Sequence, residues 1–280
     1  MPGESVAVPQ GSPRYIDFVY PWKTEPVSLT GAGCELNCAH CCGHYLKKMR
    51  KLDQVLAGPV HAHKSYLVSG GFTKQGTISL GKHAKELAAL SLLGPLNLHS
   101  GLVDEADASI IGSLVKVVSF DFVLDAGVIQ HVYGLKRKPH DFIRAYRALK
   151  KYARVIPHLC LGLSGDDLRG EYRALQFLRE EGAAAISLIV FRPTPGTRLA
   201  HFSPPPLEEV ERFMRQARRL FPETPLYLGC LRPGGLYRQA LDCIALQAGL
   251  NKIVQPAPPA RKMAAVMPLE IRYSEECCAF

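Results

Sequence analysis

The sequence predicts an α/β protein: a single (β/α)8 barrel of the TIM type with a C-terminal extension. Three observations carry that expectation. Eight short apolar runs alternate with segments of helical periodicity. Most of the runs are continuously apolar rather than alternating, as strands buried on both faces of a parallel sheet read. The length, 280 residues, suits one barrel, which takes about 250. An open doubly wound sheet of this length would carry fewer strands.

Residues 1–25 are read as an N-terminal extension. Its first part, 1–13, is polar and rich in Pro and Gly, and lacks the basic-then-apolar order of a signal peptide. The barrel proper is assigned to 26–256, with strands expected at 26–30, 65–69, 96–99, 115–122, 154–161, 185–191, 226–229 and 252–255. Between them, 82–93 is rich in Ala and Leu and stops at Gly94-Pro95. Segments 141–152 and 168–180 repeat apolar residues at three- and four-residue spacing. Segment 207–220 places Glu208 and Glu209 in its first turn, where they suit the helix dipole, and 236–248 stops before Gly249. Residues 257–280 form a tail that carries Cys277 and Cys278.

Composition narrows the class. Apolar residues make up 47% and charged ones 21%, the balance of a packed domain rather than a disordered chain. The longest apolar candidate, 183–191, is about half of what a bilayer span requires, so no membrane role is expected and the protein reads as soluble and cytoplasmic. The net charge of +9 suits an acidic partner. Lys47, Lys48, Arg50 and Lys51 form the densest basic stretch, which reads as a solvated helix face; no aromatics interleave with it, so no nucleic-acid partner is expected.

Nine cysteines without a secretion signal point to metal or redox chemistry instead of a disulfide framework. The strongest signal is Gly31-Ala32-Gly33-Cys34-Glu35-Leu36-Asn37-Cys38-Ala39-His40-Cys41, directly after the first expected strand. Three thiolates spaced x3 then x2 on one tight loop can meet one face of an iron–sulfur cubane and leave the fourth iron free to bind a ligand. A zinc site with Cys42 or His40 as fourth ligand is the competing metal reading, and buried inert thiols are the plainest one.

On these residues the chain resembles the radical S-adenosylmethionine (SAM) superfamily, whose motif is Cys-x3-Cys-x2-Cys after the first barrel strand. Ser65-Tyr66-Leu67-Val68-Ser69-Gly70-Gly71 is similar to that family's second strand, which ends in a Gly-Gly contacting the methionine amino group through its backbone. The resemblance implies a [4Fe–4S] cluster on Cys34, Cys38 and Cys41, with SAM contacted by Ser69, Gly70, Gly71, Asp121 and Gly162. Two positions depart from the family. Phe72 stands where an acidic residue is common, and His40 stands where an aromatic ring stacks near adenine. Leu159-Cys160-Leu161-Gly162-Leu163-Ser164-Gly165, with Glu171, resembles the strand-five segment beside adenine, and Phe191-Arg192-Pro193-Thr194-Pro195-Gly196-Thr197 resembles the strand-six turn. Cys42 is expected to start the helix after the cysteine loop.

The finer resemblance is to biotin-synthase-like members, and among them to the two-component type of lipoyl synthase. It rests on Cys41-Cys42-Gly43-His44-Tyr45-Leu46, Cys230-Leu231-Arg232-Pro233-Gly234-Gly235 and Glu275-Glu276-Cys277-Cys278. It implies reductive SAM cleavage to a 5′-deoxyadenosyl radical. It further implies sulfur insertion into an octanoyl chain on an acidic carrier domain, in concert with a second radical SAM subunit and an electron donor such as ferredoxin or flavodoxin. Cys230, Cys277 and Cys278 would then hold an auxiliary cluster if the tail folds back across the barrel. The alternatives are C–C bond formation or rearrangement of a small molecule without that cluster, and a non-catalytic iron–sulfur protein. Cys243 reads as helix packing, and Cys160 faces either the core or the cavity.

Overall fold

A strand forms at each of the eight expected places. The protein is described from a computed structural model covering residues 13–58 and 63–280. The expected strands are β2 (Thr24–Ser28), β4 (Ser65–Ser69), β5 (Leu96–His99), β6 (Val117–Asp121), β7 (Val155–Leu161), β8 (Ile186–Val190), β9 (Leu226–Leu228) and β10 (Lys252–Val254). They lie side by side in sequence order, all parallel.

The expected closed eight-strand barrel needs correction, because β10 does not pair with β2. The free edge of β10 takes β1 (Tyr15–Val19), which pairs in turn with β11 (Glu270–Ser274). At the other edge β2 pairs with the two-residue β3 (Arg50–Lys51). The result is one curled parallel sheet of eleven strands. The two added long strands come from segments read as extensions. Tyr15, Ile16, Phe18 and Val19, and Ile271 and Tyr273, are the β-branched, aromatic residues that suit a pleated surface. Once paired, they satisfy backbone groups that the edge of β10 would otherwise expose.

Helices cover the outer face: α1 (Leu52–Leu56), α2 (Ala84–Leu93), α3 (Glu105–Leu114), α4 (Pro139–Tyr152), α5 (Arg169–Glu180), α6 (Leu207–Leu220), α7 (Gly235–Gln247) and α8 (Pro258–Val266). Their starts follow local chemistry. Asp104 caps α3 by accepting from the Asp107 N–H at 2.9 Å, and α4 opens on Pro139 with Asp141 accepting from the Lys138 N–H at 2.8 Å. In α6 the buried Val210, Phe213, Met214 and Ala217 form the three-and-four-spaced stripe that meets the sheet. Among the described residues no helix is long and apolar enough to cross a membrane.

Strand alternation separates an outer core from an inner face. Leu96, Leu98, Val118, Phe120, Leu159, Leu161, Ile186 and Leu188 join the main core against the helices. Asn97, His99, Ser119, Asp121, His158, Cys160 and Ser187 are the alternate positions, pointing inward. After β11 the chain turns into the barrel at the N-terminal ends of the strands. The Cys277 N–H donates to Thr24 Oγ1 at 2.7 Å, Arg154 donates to the Ala279 carbonyl at 3.1 Å, and Lys252 Nζ donates to the Cys278 carbonyl at 3.1 Å. Ala279 packs on Val117, Ile156, Ala185 and Tyr227 and so plugs the barrel floor.

Candidate functional site

The cysteine loop lies at the C-terminal end of β2, the end at which parallel barrels carry their chemistry. Its course is set by left-handed residues: Gly31 at φ 63°, Asn37 at φ 48°, Cys42 at φ 44° and Gly43 at φ 70°. The expected helix start at Cys42 is therefore corrected. Cys42 and Gly43 make a left-handed turn, and only a single 3-10 turn, His44–Lys48, follows.

Three neighbouring strand-end loops hold the cysteine loop in place. The amides of Glu35 and Leu36 both donate to the Phe72 carbonyl, at 3.0 and 3.1 Å, so Phe72 contributes through its backbone. The Ala39 N–H donates to the Val132 carbonyl at 2.7 Å, from a one-turn π-helix, Val128–Val132. The loop after β8 adds the Leu199 N–H to the Ala39 carbonyl at 3.1 Å and Arg198 to the Asn37 carbonyl at 3.2 Å. Tyr45 and Thr194 share a hydroxyl hydrogen bond of 3.0 Å. The segment Arg192 to Thr197, read in sequence as a rigid turn, thus braces the loop.

Among the described residues, one group of three candidate metal-binding side chains converges: the ligating atoms of Cys38, His40 and Cys41 lie within 4.8 Å of one another. Cys34 stands outside that group, with its Sγ 3.9 Å from the Phe72 carbonyl. A hydrogen bond from Cys38 holds the Cys41 thiol down, to about 4, with His40 adding to the effect, while Cys38 itself is pushed up. A thiolate is the metal-binding form of cysteine. His40 Nδ1 is buried with no partner, and its ring lies 5.2 Å from Tyr133 at 56°. Soft thiolate donors on a preformed loop, beside an orphaned imidazole nitrogen, fit an iron–sulfur cluster. Cys42 is turned away, its thiol donating to the Cys38 carbonyl at 3.4 Å.

Ser69 ends β4, and Gly70 and Gly71 follow it, buried against the cysteine loop. The Gly71 N–H donates to Thr30 Oγ1 at 2.6 Å, and Thr30 donates on to the Gly33 carbonyl at 3.1 Å. Gly162 follows β7 at φ 86°, and its N–H donates to Glu171 Oε1 at 3.1 Å. Glu171 is buried with Oε2 unpartnered, and burial pushes its carboxyl up to about 7. Asp121 ends β6 and lies 3.7 Å from His99 Nε2.

Of the remaining thiols, Cys243 packs from the outer helix α7 against the main core, and the others line the inner side of the sheet. Cys160 is on the inner face of β7, where burial and the charge of Asp121 raise it well above the ordinary thiol range. Cys230 follows β9 with its side chain exposed, and desolvation by the protein around it, with the charge of Cys277 adding, pushes its thiol up. The tail does fold back, from the floor of the barrel instead of across its mouth. Cys277 and Cys278 reach the interior there, close enough that Cys277 and Cys230 both raise Cys278, yet the three thiols do not converge as a ligand set. Sequence reasoning missed Thr30, Tyr133, His99 and His158. The two histidines had a readable signal: each sits two residues from another polar or sulfur side chain within an apolar run (Asn97 and His99, His158 and Cys160).

No family model matches the chain, and no curated protein does. Solved structures do. Methylornithine synthase PylB superposes with a TM-score of 0.62 at 14% identity, over 87% of this chain and 73% of PylB. The FeFe-hydrogenase maturase HydG from Carboxydothermus hydrogenoformans gives a TM-score of 0.62 at 15% identity, over 85% of this chain and 58% of HydG. SuiB from Streptococcus suis, solved with S-adenosylmethionine bound, gives 0.56 at 14% identity, over 79% of this chain and 52% of SuiB. These neighbours are radical SAM enzymes, and at such identities the likeness is one of fold: this chain has their curled parallel half-barrel.

Proposed function

We propose that the protein is a radical SAM enzyme that binds a [4Fe–4S] cluster through Cys34, Cys38 and Cys41 and takes hydrogen from a substrate held in the barrel. The observation that carries this is the braced cysteine loop packed against Gly70-Gly71 at the C-terminal end of the sheet. A cluster held by Cys34, Cys38 and Cys41, with SAM beside it and one electron supplied, would provide reductive cleavage of the sulfonium S–C5′ bond to methionine and a hydrogen-abstracting 5′-deoxyadenosyl group. The chain's part is geometric. Ser69, Gly70 and Gly71 offer backbone groups for the methionine end, His40 offers a ring, Gly162 borders the nucleoside side, and the tail seals the floor against water.

The finer reading is sulfur insertion into an octanoyl chain on an acidic carrier domain, with a second radical SAM subunit and a ferredoxin or flavodoxin as electron donor. It is supported by Cys230, Cys277 and Cys278 sharing one interior, free of disulfides. An auxiliary cluster there requires the tail to shift so that the thiols converge. A second reading, rearrangement or C–C bond formation on a small molecule, is favoured by the polar inner face of His99, Ser119, Asp121, His158 and Ser187.

Anaerobic reconstitution of wild type and of the triple variant Cys230→Ala, Cys277→Ala, Cys278→Ala decides between them. About eight irons per chain falling to about four in the variant supports sulfur insertion; about four in both supports the small-molecule reading. Absence of 5′-deoxyadenosine after reduction with SAM present overturns the radical assignment and leaves a non-catalytic iron–sulfur protein.

A further inference from the structure

Inner positions of parallel barrels are ordinarily filled by Val, Ile and Leu in packed layers. Here the central strands β5 to β8 present His99, Ser119, Asp121, His158 and Ser187 instead. The outer faces of these strands are covered by helices. Yet His99 and Asp121 keep side-chain exposures of 25% and 31%, and His158 is half-buried. His99 and Asp121 both end their strands, so this exposure opens into the inner face at its C-terminal mouth.

The atoms on that face have a definite polarity. His158 Nδ1 lies 3.1 Å from the Ile156 carbonyl, which can only accept, so Nδ1 carries the hydrogen. Nε2 of the neutral ring then offers a lone pair. Burial, with His99 adding, pulls this imidazole down to about 4 and keeps it neutral at neutral pH. Asp121 is the register partner of His158 on the adjacent strand, and Ser187 is its partner on the other side. Ser187 is fully buried, and its Oγ has no hydrogen-bond partner. His99 completes the ring, 3.7 Å from Asp121 and edge-on to His158 at 5.5 Å between centroids.

We propose that His99, Asp121, His158 and Ser187 form a recognition subsite for an amino group of a small-molecule substrate. Two acceptors side by side, one of them a carboxylate, call for a donor with several hydrogens, and an ammonium supplies three. The proposal deepens the small-molecule reading, since the apolar carbons of an octanoyl chain find no complement in this ring. It requires only the open interior, not SAM cleavage, so a failed radical assay and a failed binding assay are separate results.

The test is 15N-histidine NMR of the full chain titrated with 1,4-diaminobutane, 1,4-butanediol and succinate, each to about 50 mM, the range expected of fragments this small. The diamine is expected to shift His99 and His158 side-chain nitrogens saturably while succinate and the diol do not. Asp121→Asn is expected to weaken the diamine about 10-fold and Ser187→Ala about 3-fold. Should Asp121→Asn unfold, as seen in its melting curve, Ser187→Ala carries the comparison alone. The proposal is overturned by no saturable shift with the diamine, by succinate or the diol shifting the two histidines as strongly, or by unchanged affinity in the folded variants.

Discussion

Gly71 rests against Gly33 so closely that a Cβ at Gly71 would lie 1.7 Å from the Gly33 carbonyl oxygen and 2.6 Å from Cys34 Cα. The contact joins the loop after β4 to the first cysteine by backbone alone, and no side chain can enter it without moving one strand end.

Gly71→Ala is therefore expected to displace the cysteine loop. Both obstructing groups are backbone, so the strain cannot be relieved by a rotamer change and costs about 1–3 kcal/mol. Iron bound per chain after anaerobic reconstitution should fall by more than half, while Gly81→Ala, which meets nothing within 4 Å, keeps it.

Glu171 makes stability depend on pH. Its buried carboxyl is raised to about 7 from an ordinary 4.5. Between those values the native state binds more protons than the unfolded chain, so stability falls as pH rises through the window and stays low above it. Glu171→Gln keeps an acceptor for the Gly162 N–H and removes the ionisation. Urea unfolding should show the variant more stable than wild type at pH 8, by up to about 3 kcal/mol, and the two alike near pH 4.

Arg232 and Asp242 form an ion pair with both side chains fully buried, at 2.8 and 3.0 Å. Arg232 also donates to the Gly229 and Val254 carbonyls, at 2.7 and 2.6 Å, and Asp242 accepts the Ala257 N–H at 2.8 Å. Asp242→Asn leaves a guanidinium buried without its counter-charge and should cost about 3–5 kcal/mol in a denaturant titration. A loss under 1 kcal/mol would mean that water reaches the pair.

The plug should be sensitive to Asn97. This fully buried amide donates to Cys277 Sγ at 3.3 Å and accepts from Ser119 at 3.0 Å. Asn97→Leu removes both bonds and is expected to cost about 1–3 kcal/mol. Mass spectrometry after iodoacetamide should show Cys277 and Cys278 protected in native wild type and alkylated faster in the variant.

Much of this site is legible in sequence because its signals are local. Cys34, Cys38 and Cys41 must share a loop given their spacing, and Gly70-Gly71 must follow a strand given the apolar run before it. His99 and His158 were passed over because each sits in an apolar run, where a single polar residue carries no direction until the strand's two faces are distinguished. Tyr133 lies in a loop with no pattern at all, and its place beside His40 comes from the π-turn that carries it.

The eight central strands and their parallel order, the position of the cysteine loop at a strand end, and the main helices followed from the sequence by itself, since apolar period and turn residues act within a dozen positions. Tertiary structure alone decided that β1 and β11 extend the sheet in place of a closing β10–β2 pair. It also decided that the tail enters through the floor, and that His99, Asp121 and His158 come together on the inner face. Those outcomes depend on hydrogen bonds and packing between segments up to some 250 positions apart, as between Lys23 and Glu275. No local pattern encodes such partners.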